Sequence, residues 1–310
     1  MTAAHARESL RTLLGGIVDY AGLFPPAGLD MPAAVANYAA YRQGTDAWAL
    51  GRFVLPAARL EAFEKAFEKE KECEAAPRAG AEPWRLSALL GPDVAGDVER
   101  VRSFNGRNAG RAVIDALELT AHDLAALERA ARSLPTGTEA YAELPVDADV
   151  RALVVAAGRT GLRAKVRTGG VTADAFPTSA QLARFIAACV EAGVPFKATA
   201  GLHHPLRAVY RFTYEPGSAT GTMFGFLNVF LAAALLCAGG PVSDAQALLE
   251  ETDASAFDIT DDAIAWRGHR FDVARLAAAR GLAVSFGSCS FREPIEELRA
   301  ISETTEAGRG

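Results

Sequence analysis

One pattern recurs along the whole chain: a short, almost uncharged apolar run, a loop, and then a stretch with helical spacing. The runs are Leu13–Ala21, Ala47–Leu55, Trp84–Leu90, Arg111–Leu119, Glu139–Val146, Leu162–Thr168, Pro195–Gly201 and Leu282–Gly287. Runs that are apolar throughout suit strands covered on both faces, and strands alternating with helices build a parallel sheet. Eight such units predict an α/β protein with a (β/α)8 TIM-barrel architecture, residues 1–310 forming one domain with an insertion between strands seven and eight. An open doubly wound sheet is the competitor. No strand runs into a G-x-G-x-x-G turn or a P-loop, however, so a dinucleotide or nucleotide site has no support.

The helical stretches carry their own marks. Leu182, Phe185, Ile186, Cys189 and Val190 share one face, and Gly193 follows as a stop signal. Helices are also predicted near Pro32–Arg42, to about Ala157 and through Leu276, and after Thr120 with Asp123 as a capping-box residue. On Ala57–Glu74, Leu60, Phe63 and Phe67 form the apolar stripe and Glu61 pairs with Lys65. Glu64–Glu82 reads as a surface excursion. Within the insertion, Arg207–Thr222 reads as a loop and Phe257–Arg267 as a hairpin.

Composition removes several function classes. With 32 Lys+Arg against 38 Asp+Glu spread along 310 residues, no basic stripe offers itself to nucleic acid. Half of the residues are hydrophobic, which argues against disorder. The four cysteines lie far apart, so neither a disulfide framework nor a cysteine zinc site is expected. The first residues lack the apolar core of a signal peptide, which makes the cytoplasm the expected compartment. Met223–Gly240 is uncharged and near the lower length limit of a membrane span, but Asn228 and its glycines favour a buried or interface helix. No membrane partner is expected, and a homodimer through that helix is.

Polar residues on strands that should be apolar are the informative ones, because barrel active sites form at the C-terminal strand ends. That filter returns Asp19, Arg52, Asp115, Glu143, Lys165, Arg167, Lys197 and Thr199. Alternation puts Lys165 with Arg167, and Lys197 with Thr199, on one face of their strands. A lysine stripped of water beside a second cation loses its proton more easily, and the neutral amine can attack a carbonyl to give a Schiff base. Structural ion pairs to Asp115 or Glu143 are the competing use of the same lysines.

The run Lys165-Val166-Arg167-Thr168-Gly169, followed by Lys197-Ala198-Thr199-Ala200-Gly201, resembles the two-lysine pattern of deoxyribose-phosphate aldolases. Those class I aldolases carry Lys-Thr-x-Thr-Gly on strand six and Lys-Ala-x-Gly-Gly on strand seven. Their eighth strand ends in a Phe-Gly-Ala-Ser-Ser segment, which Phe286-Gly287-Ser288-Cys289-Ser290 resembles here. The likeness covers the last half of the chain. It implies Lys165 as the Schiff-base lysine, Lys197 as the lysine that tunes it, and Asp115 as the carboxylate that moves protons. It departs at Leu202-His203-His204-Pro205, where the family has a Gly-Ile-Arg-Thr type turn, and at the insertion, so the substrate need not be a sugar phosphate.

The expected function is therefore a lyase of the aldolase type acting on a small carbonyl compound, with no cofactor. Catalysis is assigned to Lys165, Lys197, Asp115 and Glu143. Substrate contacts, including those to an anionic group, are assigned to Arg52, Arg167, Thr199, His203, His204, Gly287, Ser288 and Ser290. A divalent metal held by His203, His204 and Glu143, in a hydrolase or isomerase, is one alternative. A non-catalytic binding or assembly barrel is another; it predicts lysines paired to carboxylates and no open pocket at the strand ends. Asp19–Pro26 is expected to wall the pocket or to form a plain turn, and Cys289 to be a small buried residue.

Overall fold

The computed structural model describes residues 6–73, 82–147 and 149–307. Its centre is a closed, all-parallel barrel of eight strands. The first seven are β1 (Val18–Tyr20), β2 (Leu50–Pro56), β3 (Trp84–Leu89), β4 (Ala112–Thr120), β5 (Glu139–Glu143), β6 (Arg163–Arg167) and β7 (Phe196–Thr199). An insertion then supplies β8 to β12, and the barrel is closed by β13 (Ala283–Ser288), which pairs with both β7 and β1. The predicted architecture is thus present, with the insertion between the seventh and eighth barrel strands.

The helices of the outer layer are α2 (Met31–Gln43, after the short α1, Glu8–Leu14), α3 (Leu60–Cys73), α4 (Val94–Arg107), α5 (Leu124–Ser133), α6 (Val150–Arg159) and α7 (Ser179–Ala192). Their starts are set locally. Asp30, Asp93, Asp123 and Asp149 each accept a backbone N–H three residues on, which satisfies a donor that the first turn leaves open. In α7, Thr178 and Gln181 form a reciprocal capping box, and Gly193 ends the helix in the left-handed region.

Several boundaries differ from the sequence reading. Leu13–Ala21 is not one strand: Leu10, Leu13 and Leu14 share a buried helical face in α1, and β1 begins only at Val18. Asp123 caps α5 itself rather than sitting inside its first turn. Glu64–Cys73 is no excursion, since Phe63, Ala66 and Phe67 seat α3 on the barrel; residues 74–81 lie outside the described residues.

In the insertion, β8 (Ala208–Arg211) and β9 (Thr220–Met223) form a hairpin where a loop was expected. Next come α8 (Phe226–Cys237) and α9 (Val242–Glu250). The expected hairpin gains a third strand: β10 (Phe257–Ile259), β11 (Ala263–Trp266) and β12 (His269–Asp272) form an antiparallel sheet before α10 (Val273–Arg280). The last described element is α11 (Arg292–Ala307).

The apolar segment resolves into α8, whose 12 residues rise about 18 Å, well short of a bilayer core of about 30 Å. Among the described residues no helix is long and apolar enough to cross a membrane. Residues 226–236 are all buried, against α7, α9, α10 and Phe286 of β13. The surface from which a homodimer was expected is therefore used inside the chain. Asn228 in its midst is fully satisfied: its amide donates to the carbonyls of Leu248 (2.8 Å) and Glu251 (2.9 Å), and its Oδ1 accepts from Arg207 N (2.9 Å).

Candidate active site

The barrel interior is lined by ion pairs from the N-terminal to the C-terminal strand ends. At the N-terminal end, Arg52 Nε lies 2.6 Å from Asp115 Oδ1 and Arg52 Nη2 lies 3.0 Å from Glu139 Oε1. Arg85 adds to Asp115 at 2.7 Å, and Arg163 to Glu139 at 3.1 Å. Tyr141 donates to Glu139 (2.8 Å), and its ring faces Lys197 Nζ at 5.5 Å.

Above that lies the core of the site. Lys197 Nζ is 2.6 Å from both Asp19 Oδ2 and Glu118 Oε1. Lys165 Nζ is 2.8 Å from Glu118 Oε2 and 3.0 Å from Glu143 Oε2, and Glu143 also meets Arg167 Nε at 3.0 Å. Strand register explains the assembly, because Glu143, Lys165 and Lys197 are successive lateral partners on β5, β6 and β7, with Ser285 of β13 next. Ser87 and Ser285 donate to Glu118 (2.7 Å) and Asp19 (2.8 Å), completing their partners.

Electrostatics follow from that packing. Burial opposes charge on Glu118, yet the ammonium groups of Lys165 and Lys197 hold its carboxyl far below the ordinary 4.5. Burial likewise opposes charge on Lys197, and Asp19 with Glu118 overcome it, raising Lys197 above its ordinary 10.5. Glu143 is lowered by Lys165 and Arg167 against its own desolvation.

Over this network, at the C-terminal strand ends, opens a cavity of about 330 Å³. Lys165, Lys197, Glu118 and Glu143 line it together with Arg167, Thr199, Gly287, His203 and Cys289, while Phe24 and Pro25 belong to its apolar wall. The Asp19–Pro26 segment therefore serves as wall as well as turn. Gly201 lets the loops after β6 and β7 approach each other closely. Its φ is +74°, and a Cβ there would lie 2.9 Å from the Gly169 Cα.

The second chemical feature is the side formed by β13 and the loop after β7. His203 Nδ1 is 3.8 Å from Cys289 Sγ, 3.4 Å from Ser288 Oγ and 3.4 Å from Glu293 Oε2. Burial disfavours the imidazolium, but hydrogen bonds with Cys289 and Glu293 raise His203 to about 9. Burial also opposes a thiolate at Cys289, and the His203 contact lowers it. Cys289 is thus buried, as expected, and also faces the cavity.

Of the sequence candidates, Lys165, Lys197, Glu143, Arg167, Thr199, His203 and Gly287 face one cavity. Asp115 and Arg52 do not; they pair with each other at the opposite end of the barrel. Both lie in the first half of their strands, β4 and β2. A register shift between β3 and β4, where Leu86 faces Ile114 but Ser87 faces Ala116, leaves Asp115 unpaired in the ladder and breaks the alternation between it and Glu118. The carboxylate that joins the lysines is Glu118, further along β4. Its nearness to the C-terminal strand end was the signal that could have preferred it.

Ser288 and Ser290 also lie off the cavity. Ser288 is 1 % exposed and turned toward His203, and Ser290 Oγ accepts the Glu293 N–H (3.2 Å) at the start of α11. The set His203, His204 and Glu143 does not converge either: Glu143 is taken by Lys165 and Arg167, and His204 Nδ1 turns to Glu297 at 2.9 Å.

Fold and site together define a (β/α)8 barrel with two buried lysines sharing one carboxylate beneath an open cavity. No protein-family model matches the chain, and a search of curated proteins finds no match.

Proposed function

We propose that the protein is a lyase of the aldolase type that forms a Schiff base between Lys165 and a small carbonyl compound. The observation that carries this reading is the pair Lys165 and Lys197, held by the shared Glu118 at the floor of a cavity at the C-terminal strand ends. A purely structural pair accounts for the carboxylates but not for the cavity above them.

Residue choice supports the same reading. Of the 32 basic residues 27 are arginines, and of the five lysines Lys65, Lys69 and Lys71 sit on α3. The other two are the barrel lysines. Arginine makes the better structural ion pair but cannot give up its proton, whereas lysine can.

Lys165 is the nucleophile in this proposal, because Lys197 is enclosed by Asp19, Glu118 and the Tyr141 ring. Glu143 takes a proton from the Lys165 ammonium, and the free amine adds to the carbonyl carbon. The resulting carbinolamine leaves its hydroxyl as water, with Glu143 returning the proton. Arg167 and Thr199 hold an anionic group on the substrate, and the cavity volume limits that substrate to a small molecule. The resemblance to deoxyribose-phosphate aldolases supports the reading, with Glu118 in place of Asp115 as the strand-four carboxylate.

The test is borohydride trapping against a panel of aldehydes, ketones and 2-oxo acids. A peptide carrying Lys165 should gain the mass of the carbonyl compound less one oxygen. Absence of any adduct, or adducts confined to Lys65, Lys69 and Lys71, would overturn the proposal.

A further inference from the structure

A group with no part in the lysine chemistry lies behind His203. His204, on the loop after β7, is buried, while Glu293 and Glu297 stand one turn apart on α11. His204 Nδ1 is 2.9 Å from each oxygen of Glu297, and one ligand atom from each of the three residues lies within 4.8 Å of the others. We propose that these three side chains form a binding site for a zinc-like divalent cation.

The geometry suits such an ion. Bonds of about 2.0–2.1 Å in tetrahedral coordination put neighbouring ligand atoms roughly 3.3 Å apart. The 2.9 Å between His204 and Glu297, with all three ligand atoms inside 4.8 Å, is close enough to that value for small side-chain rotations to admit the ion. One imidazole nitrogen and two carboxylates form a donor set for zinc and its first-row neighbours, since magnesium and calcium favour oxygen alone. Three protein ligands leave a fourth position for water, and Glu293 and Glu297 keep the solvent exposure through which an ion enters, 27 % and 40 % of their side chains.

The ligands are also held in place. The His204 ring stacks on Tyr210 with centroids 3.4 Å apart and planes 9° from parallel. The Tyr214 hydroxyl donates to Glu293 Oε2 at 2.9 Å, an outer contact of the kind that orients a ligating carboxylate. Two carboxylates four residues apart on one helix repel each other, and a divalent cation between them removes that cost. Because Glu293 also contacts His203 at 3.4 Å, the ion would tie the cavity wall to α11.

The test uses the untagged full chain, stripped with chelator and reloaded with Zn2+ or Co2+. Elemental analysis after gel filtration should find one ion per chain, and the Co2+ form should show visible absorption of a site with nitrogen and oxygen ligands. His204→Ala and Glu297→Gln should each weaken Zn2+ binding at least tenfold, while His269→Gln, a change at a remote histidine, leaves it unchanged. Three results would overturn the site: no stoichiometric ion in the native sequence, equal binding by His204→Ala, or loss in Cys289→Ser with retention in His204→Ala. The last would move the ion to His203 and Cys289. Borohydride trapping at Lys165 is a separate readout, so the two proposals fail independently.

Discussion

Lys165 and Lys197 are direct lateral partners on adjacent parallel strands, and both ammonium groups end on Glu118, at 2.8 and 2.6 Å. Two like charges side by side in a barrel interior are tolerable only because that carboxylate lies between them, with Glu143 and Asp19 on the outer flanks.

Glu118→Gln preserves shape and removes the central charge. Breaking a buried ionic network from one side costs about 3–5 kcal/mol. Urea denaturation should show that loss. A change below about 1 kcal/mol would mean that Glu143 and Asp19 suffice without it.

The same group sets the pH limits of stability. The Glu118 carboxyl is held below its ordinary 4.5, so its contribution is complete above pH 4.5 and fades as the pH falls further. Lys197 is raised above 10.5, so its contribution is complete below pH 10.5 and fades above it. Denaturation midpoints should therefore form a plateau between these limits, and Glu118→Gln should flatten the acid side. An unchanged acid slope in that variant would assign acid unfolding to other carboxylates.

Asp115→Asn separates the two ends of the barrel. It should cost about 1–3 kcal/mol by weakening the hold on Arg52 and Arg85. Any trapped adduct at Lys165 should form at the native rate. A slowed rate would show the N-terminal network reaching the cavity.

Gly201→Ala combines a positive φ with a Cβ only 2.9 Å from backbone, so neither rotation nor a side-chain shift relieves it. A loss of about 1–3 kcal/mol is expected. Hydrogen exchange should rise in the loops after β6 and β7 first; protection lost elsewhere instead would relocate the strain.

Asn228→Leu fills the same space while unpairing the buried carbonyls of Leu248 and Glu251 and the Arg207 N–H. About 3 kcal/mol should be lost despite the gain in apolarity. A more stable variant would show that water replaces the amide.

Much of the fold is legible because barrel strands and helices differ in local pattern. Helix α7 reads cleanly: Leu182, Phe185, Ile186 and Cys189 repeat at helical spacing and Gly193 marks the end, while the Thr178 cap at its start is shown by the structure. Legibility fails where local pattern is shared by two structures. Leu13 and Leu14 are separated from Ile17 and Val18 only by the uncharged pair Gly15-Gly16, so the end of α1 and the start of β1 read as one strand, although that pair is where the helix stops. In the site, alternation along β6 and β7 brings Lys165, Arg167, Lys197 and Thr199 to the cavity as expected. Alternation fails on β4, because a register shift breaks it.

The sequence alone determined the alternating architecture, the placing of two lysines on neighbouring strands and the absence of a nucleotide-binding turn, since each depends on residues close together in the chain. Tertiary structure decided which carboxylate serves those lysines and which histidine faces the cavity. Ion pairs depend on strand register and on where a helix such as α11 docks. Both are set by packing between segments far apart in the chain, 178 residues in the case of Asp19 and Lys197.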